Sequence, residues 1–382
     1  MTQAESPQLL NGQFAQIYSA QPTHIVFAPG RVDLMGSHTD YNQGYVLTLP
    51  INRTTWIAAR PRQDGQVNIR SLNLEGASSF SLAAIQRDEH HPWVDYVRGV
   101  AAMLQESGYP LSGFDGLISS SVPLRSGLSS SAALEVATAR LFQRLGGLAI
   151  DPVELALICQ RAENQFVGMN CGILDQYTAS VGVVGQALLL DCRALTSQHA
   201  PLSPEIAIVI CDTRSKRELT GSEYPQRRAH CERGAAILAA LIPGVKTLRD
   251  VAPNQFQEHA DQLPPDVRRR CRFIIEENQR VLDLSCALPA GDGEQIKKLT
   301  QASYHGAREL YEIVSLEMDE MMTAMLEAPG AIGARQAGAG FGGCMVAFVQ
   351  AHAVAEFSAQ VSQAYFKATQ VEPQIYTVSG DG

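Results

Sequence analysis

Short apolar runs, several with alternating character, predict strands over residues 24–28, 54–59, 67–72, 117–122, 187–191, 206–212 and 345–349. Apolar residues spaced three and four apart predict helices over 92–105, 132–145, 152–166, 227–241, 266–284 and 293–310. The clearest is 132–145, where Leu134, Thr138, Leu141 and Leu145 share one face with Ala137, and Gly146-Gly147 supplies a stop. Strands dominate up to about residue 125 and helices afterwards, which reads as α+β rather than a regular βαβ alternation. The polar stretch 196–204, ending in Pro204 before a new apolar strand, reads as a linker. It suggests an N-terminal domain over 1–200 and a C-terminal domain over 201–382.

Composition changes this picture little. With 382 residues, 45% hydrophobic and 18% charged, the chain reads as a globular protein of two domains, or one with a large insertion. A net charge of −9 argues against general nucleic-acid binding but permits a local anion site. No apolar run is long enough for a membrane span, and the first ten residues lack the order of a secretory signal. The eight cysteines lie between Cys159 and Cys344 without zinc-type spacing. They read as reduced thiols in a cytoplasmic protein. No partner beyond small molecules is indicated, and a monomer is expected.

Four stretches carry candidate chemistry. Pro123-Leu124-Arg125-Ser126-Gly127-Leu128-Ser129-Ser130-Ser131 is a small-residue turn opening the 132–145 helix. Such a turn aims free N–H groups and the positive end of a helix dipole at one spot, which suits a phosphate. A plain serine N-cap is the bland alternative, and no Walker lysine is present. Gly30 to Asn42, placed just after a strand, holds Arg31, Asp33, Ser37, His38 and Asp40, a density of donors and acceptors that suits a polyhydroxylated ligand or a solvated turn. Glu163 borders the apolar face of the 152–166 helix, which opens on Asp151-Pro152; a metal ion or a salt bridge to Arg161 would satisfy it. Asp175, after the turn at Gly172, could cap a helix or accept a proton from a hydroxyl. A second glycine-rich turn, Gly338-Ala339-Gly340-Phe341-Gly342-Gly343, precedes the strand at 345–349.

In this order, these stretches resemble the GHMP small-molecule kinases and, among them, the galactokinase family. Gly30 to Asn42 resembles the pattern G-R-V-N-L-I-G-E-H-T-D-Y-N, Pro123 to Ala133 resembles P-x-G-x-G-L-S-S-S-A, and 338–343 resembles T-G-G-G-F-G-G. Further matches are Ala162 to Phe166, Cys171 to Gln176, Asp191-Cys192-Arg193, and Gly221 to Tyr224 with Arg227-Arg228. The resemblance implies a two-domain fold, with a ribosomal protein S5 domain 2-like N-terminal domain, a ferredoxin-like C-terminal domain, and ATP and sugar between them. It implies transfer of the γ-phosphate of ATP to the C1 hydroxyl of a galactose-like sugar, with D-galactose leading. It implies Asp175 as catalytic base beside Arg31, and Mg²⁺ on Ser131 and Glu163. The implied sugar contacts are Arg31, Ser37, His38, Asp40, Gly172, Asp175 and Tyr224. The implied ATP contacts are Trp93, Pro123 and the turn from Arg125 to Ser131. The positive charge of Arg31 suits both a proton-accepting carboxylate and a transferring phosphoryl group.

Four departures bear on the sugar and the nucleotide. Ser37 stands where the pattern has Glu, a residue the family associates with the C6 hydroxyl, and Asp33 replaces Asn. These changes open the alternatives of L-arabinose, galacturonate or N-acetylgalactosamine as substrate. Arg125 replaces the first glycine of the ATP turn, and Ala337 and Ala339 replace Thr and Gly; Ala339 would be strained if its position needs positive φ. A non-catalytic sugar sensor and a mevalonate- or homoserine-type kinase are the remaining alternatives. The intact serine run speaks against the first, and the His38 to Tyr41 cluster with Tyr224 against the second.

Overall fold

A computed structural model describes residues 7–124, 126–215 and 223–378. Packing divides them into two compact units that are not consecutive halves of the chain. The first contains residues up to Arg31, Ile51–Leu124 and Ser129–Val181; the second contains Val32–Pro50, the 126–128 turn and the chain from Gly182 onward.

In the first unit, α1 (Pro7–Tyr18) precedes β1 (His24–Met35), which continues past Arg31 into the second unit. β2 (Tyr45–Arg62) makes the return crossing at Pro50. β3 (Gln66–Ser71), β4 (Ala77–Ser81), α2 (Asp95–Glu106), β5 (Gly113–Ser120), α3 (Ser130–Gly146), α4 (Pro152–Arg161) and α5 (Leu174–Val181) complete it. The strand order is β4-β3-β5-β2, with β3 parallel to β5 and β5 antiparallel to β2. Period-two alternation sorts β2 onto two faces. Ile57 and Ala59 join Val100, Val136, Leu141 and Ile158 in the main core, whereas Ala58 turns to Leu10 and Phe14 of α1.

The second unit contains the hairpin β6 (Gln186–Asp191) and β7 (Thr196–Pro201), with the start of β2 paired to β6. The stretch read as a linker therefore begins as a strand; its polar side chains fit because β7 is exposed along most of its length. β8 (Ile206–Asp212), α6 (Glu223–Leu241), α7 (Pro253–His259), α8 (Pro265–Ala290), α9 (Gly293–Gly306) and α10 (Leu316–Glu327) follow. β9 (Ala331–Gln336), β10 (Cys344–Gln350), α11 (Val354–Thr369) and β11 (Gln374–Val378) close the unit. They form an antiparallel sheet of order β11-β8-β10-β9. Met318, Met321, Met322 and Met325 of α10 pack with Phe357 and Tyr365 of α11 against this sheet. Cys231, Leu238, Phe273 and Ile274 build a separate core from α6 and α8.

Three expectations change. Gly30 to Met35 belongs to β1 instead of following a strand, so its polar residues sit on a rigid element. The 152–166 helix ends at Arg161 and widens into a π-helical turn, Ala162–Val167. The 293–310 helix does the same after Gly306. Among the described residues, no helix is long and apolar enough to cross a membrane. All eight cysteines are free thiols, and only Cys286 is exposed.

Candidate active site

In the first unit, the ATP-type turn meets α3. Ser129 takes a left-handed conformation (φ 59°) at the cap, and its side chain makes no capping bond. Its Oγ is buried without a hydrogen-bond partner. The serines therefore do not serve the usual N-cap role, and the first N–H groups of α3 have no intrahelical acceptor. Gly147 (φ 58°) closes the other end, where the sequence put the stop. Pro123 and Leu124 lead into the turn from this unit, and Arg125 lies outside the described residues. Trp93 sits in the one-turn helix before α2, partly buried against the core, with Nε1 unpartnered.

Arg31 and Asp175 meet within the same unit. Arg31 is buried at 6% exposure and its Nε donates to Asp175 Oδ1 at 2.8 Å, with a terminal guanidinium nitrogen on the same oxygen. Asp175 stands in the first turn of α5, a position where the helix dipole favours a negative group. It keeps 26% of its side-chain surface open, enough to meet a ligand.

Beyond it lies an acidic cluster that periodicity did not reveal. The π-helical turn places Glu163 in a buried position, bonded by the Ser131 hydroxyl, by Cys171 Sγ at 3.4 Å and by Gln176 Nε2 at 2.5 Å. Gln176 Nε2 also donates to Glu135 Oε2 at 2.9 Å. Glu135 has no exposed surface, and its Oε1 has no partner. Burial, then the neighbouring Asp175 charge, raises the Glu163 carboxyl to about 7, and burial with Glu163 pushes Glu135 up as well. Tyr96 and Cys171 are pushed up by burial and then by Glu163, so the whole pocket carries negative potential. Arg161, the alternative partner considered for Glu163, donates to Ser107 instead.

The second unit holds the remaining candidates. Ser37 is 2% exposed; its hydroxyl donates to Asp33 Oδ2 at 3.0 Å and accepts from Arg335 at 2.8 Å. His38 has φ 67° and 5% exposure, and its Nε2 lies 2.9 Å from the carbonyl oxygen of Ala339. A carbonyl only accepts, so Nε2 carries the proton and Nδ1 can accept from Tyr41 Oη at 2.9 Å. Tyr41 and Tyr311 hydroxyls continue this chain at 2.8 Å. Asp40 opens a short helical turn, its Oδ1 accepting from Tyr41 N at 2.8 Å. Tyr224, at the start of α6, lies 5.3 Å ring to ring from His38. Arg227 is buried and donates to the carbonyl oxygens of Tyr311 and Glu312. Within the 126–128 turn, Gly127 has φ 88°, Leu128 is buried, and the Ser126 carbonyl accepts from Cys344 N at 3.1 Å.

In the glycine-rich turn, positive φ falls at Gly338, Gly340, Phe341, Gly342 and Gly343 but not at Ala339, so alanine is unstrained there. Gly340 is required, because an added Cβ would stand 2.5 Å from the Ile313 carbonyl oxygen.

The sequence matches three family models: the galactokinase galactose-binding signature over residues 12–61, the N-terminal domain of GHMP kinases over 95–183, and the C-terminal domain of GHMP kinases over 286–368. A galactokinase from Roseiflexus sp. (strain RS-1) is 44% identical over 96% of this chain and 94% of the relative. The chain belongs to the galactokinase family. A second family member, from Chloroflexus aurantiacus, is 43% identical over 93% of the chain and 91% of the relative. The crystal structure of the Lactococcus lactis galactokinase complexed with galactose superposes with a TM-score of 0.92 at 33% identity, covering 97% of each chain. The Methanococcus jannaschii mevalonate kinase shares the fold at a TM-score of 0.64 and 17% identity, over 93% of this chain and 97% of that one. The α+β fold is that of the two-domain GHMP kinases.

Proposed function

We propose that this protein transfers the γ-phosphoryl group of ATP to the C1 oxygen of D-galactose, forming galactose 1-phosphate and ADP. The observation that carries this reading is the Arg31–Asp175 pair, a fixed and partly open carboxylate in a chain of the galactokinase family. Asp175 accepts the C1 hydroxyl proton as that oxygen bonds to the γ-phosphorus and the bond to the β–γ bridging oxygen breaks. Arg31 orients the carboxylate and adds positive charge for the transferring group. The N–H groups opening α3 receive phosphate oxygens, and Trp93 with the turn around Ser126, Gly127 and Leu128 completes the nucleotide contacts. Arg125 belongs to the same turn by sequence. His38, Asp40, Gly172 and Tyr224 are the remaining proposed sugar contacts, with Ser37 behind them.

The Glu163 site suits Mg²⁺. It offers the hard oxygen donors of Glu163 and Ser131, an excess of buried negative charge, and the unpartnered hydroxyl of Ser129 nearby in sequence. Mg²⁺ commonly takes only one or two carboxylates and finishes its shell with water and phosphate. When bound it would supply charge neutralisation on the phosphates. The free cysteines support a reducing compartment such as the cytoplasm.

Ser37 in place of the family's Glu favours one second reading, the same chemistry on a sugar that differs at C6. An ATP-consumption screen over galactose, L-arabinose, galacturonate and N-acetylgalactosamine separates the two. The proposal expects turnover to be fastest with galactose. Preference for another sugar moves the assignment to the second reading, and binding without turnover on every sugar overturns the kinase reading in favour of a sensor.

A further inference from the structure

The second unit contains a charged network sealed from water. Arg335 on β9 has no exposed surface, and neither do Glu277 of α8 and Ser303 of α9; Asp33 is 1% and Ser37 2% exposed. Arg335 donates through Nε to Ser303 Oγ at 3.0 Å, and through one terminal nitrogen to Glu277 Oε1 at 3.1 Å and Ser37 Oγ at 2.8 Å. Its other terminal nitrogen lies 3.9 Å from Asp33 Oδ2, beyond a hydrogen bond. Ser37 spans that gap by accepting from Arg335 and donating to Asp33. Glu277 in turn accepts from Arg280 Nε at 2.7 Å, from Ser303 Oγ at 2.8 Å and from the backbone N–H of Gly36 at 3.2 Å. Two carboxylates thus face two guanidinium groups, and the formal charge closes to zero.

We propose that Asp33 and Ser37 act as one coupled seat for a single carboxylate, and that Arg335 uses this seat to set the position of the 36–40 turn. The turn is held from both ends. Gly36 (φ 107°) would put a Cβ 2.9 Å from the Tyr45 carbonyl oxygen, and its N–H is bound to Glu277. Asp33 and Ser37 anchor the other side through Arg335. Asp33 and Ser37 depart together from the family pattern of Asn and Glu, and both versions contain one acid. Placing Glu at 37 while Asp33 remains buries a third carboxylate among only two guanidinium groups; placing Asn at 33 while Ser37 remains leaves one guanidinium uncompensated. Arg335, Asp33 and Ser37 are positioning residues. Their effect on sugar binding rests on the kinase reading above, through His38 and Asp40, but their coupling does not.

A double-mutant cycle of wild type, Asp33→Asn, Ser37→Glu and the double variant tests this, read by Tm and by KM for galactose and for ATP. Each single change is expected to lower Tm and to raise the sugar KM about tenfold with the ATP KM unmoved, and the double variant to recover most of both losses. Additive losses in the double variant overturn the coupling. Ser37→Ala, which adds neither charge nor bulk, keeps the test open if a single variant fails to fold. It is expected to raise the sugar KM alone, and an unchanged sugar KM refutes the positioning role. If no sugar is turned over, the Tm cycle still reads the coupling, so failure of the kinase reading and failure of this proposal remain distinct.

Discussion

Two buried groups of charge, one in each compact unit, follow opposite rules. In the second unit, Asp33 and Glu277 are matched by Arg335 and Arg280, and the two guanidiniums hold the Glu277 carboxyl below its ordinary range despite complete burial. In the first unit, Glu135 and Glu163 share one neutral amide, with Arg31 engaged on Asp175, and both carboxyls are raised. A balanced network is stable by itself and fixes geometry. An unbalanced one is costly by itself and gains stability when a cation arrives. The contrast assigns positioning to the second unit's network and ion and phosphate handling to the first.

The largest expected effect separates chemistry from either network. Asp175→Asn should lower kcat by roughly 10²–10⁴-fold while ATP affinity stays near wild type, measured by steady-state kinetics and calorimetric titration. Full activity would remove Asp175 from its role. Next comes a direct comparison of carboxyl-to-amide changes. Glu277→Gln leaves two buried guanidiniums short of a counter-charge and should cost about 3–5 kcal/mol in urea unfolding. Glu135→Gln replaces a carboxyl already biased to its neutral form with an amide of similar volume, and should change stability by less than about 1.5 kcal/mol. Equal costs would erase the distinction between the networks.

A smaller effect is the pH dependence. Between the ordinary carboxyl value of 4.5 and about 7, folded Glu163 keeps a proton that the unfolded chain has released. Its contribution to stability therefore declines as pH rises through that window. Glu277 has the opposite sign: its contribution is present above the ordinary value and is lost as pH falls through the depressed one. Scans of Tm against pH without added metal should show a decline above pH 5 that is shallower in Glu163→Gln. The smallest expected effect is a rise in Tm with added Mg²⁺ and ADP in wild type that is reduced in Glu163→Gln.

Sequence reasoning reached the elements whose side chains report burial directly. β8 spans 206–212 as its apolar run requires, and α3 ends at Gly147. It missed β7 and β9 because an exposed hairpin strand and the short segment Ala331–Gln336 carry no clean alternation. It placed Gly30 to Met35 outside a strand because their polarity resembles a loop, although Asp33 is buried by an ion-pair network formed from β9, α8 and α9. Arg31 and Asp175 were legible from motif order. Glu135 and Arg335 were not, since an acid on a helix and a base on a strand read as surface residues until their surroundings are known. Glu135 lies three residues before Thr138, on the buried side of α3, which is the one available signal. The interleaving of the two units leaves no mark on composition.

The central claim is transfer of a phosphoryl group from ATP to the C1 oxygen of galactose with Asp175 as the base. Phosphorus NMR of ATP, Mg²⁺ and galactose incubated with wild type and with Asp175→Asn tests it most directly. The account predicts a sugar phosphate on C1 in step with ADP for wild type and almost none for the variant. ADP released without a C1 phosphate, or equal product from both proteins, would contradict it.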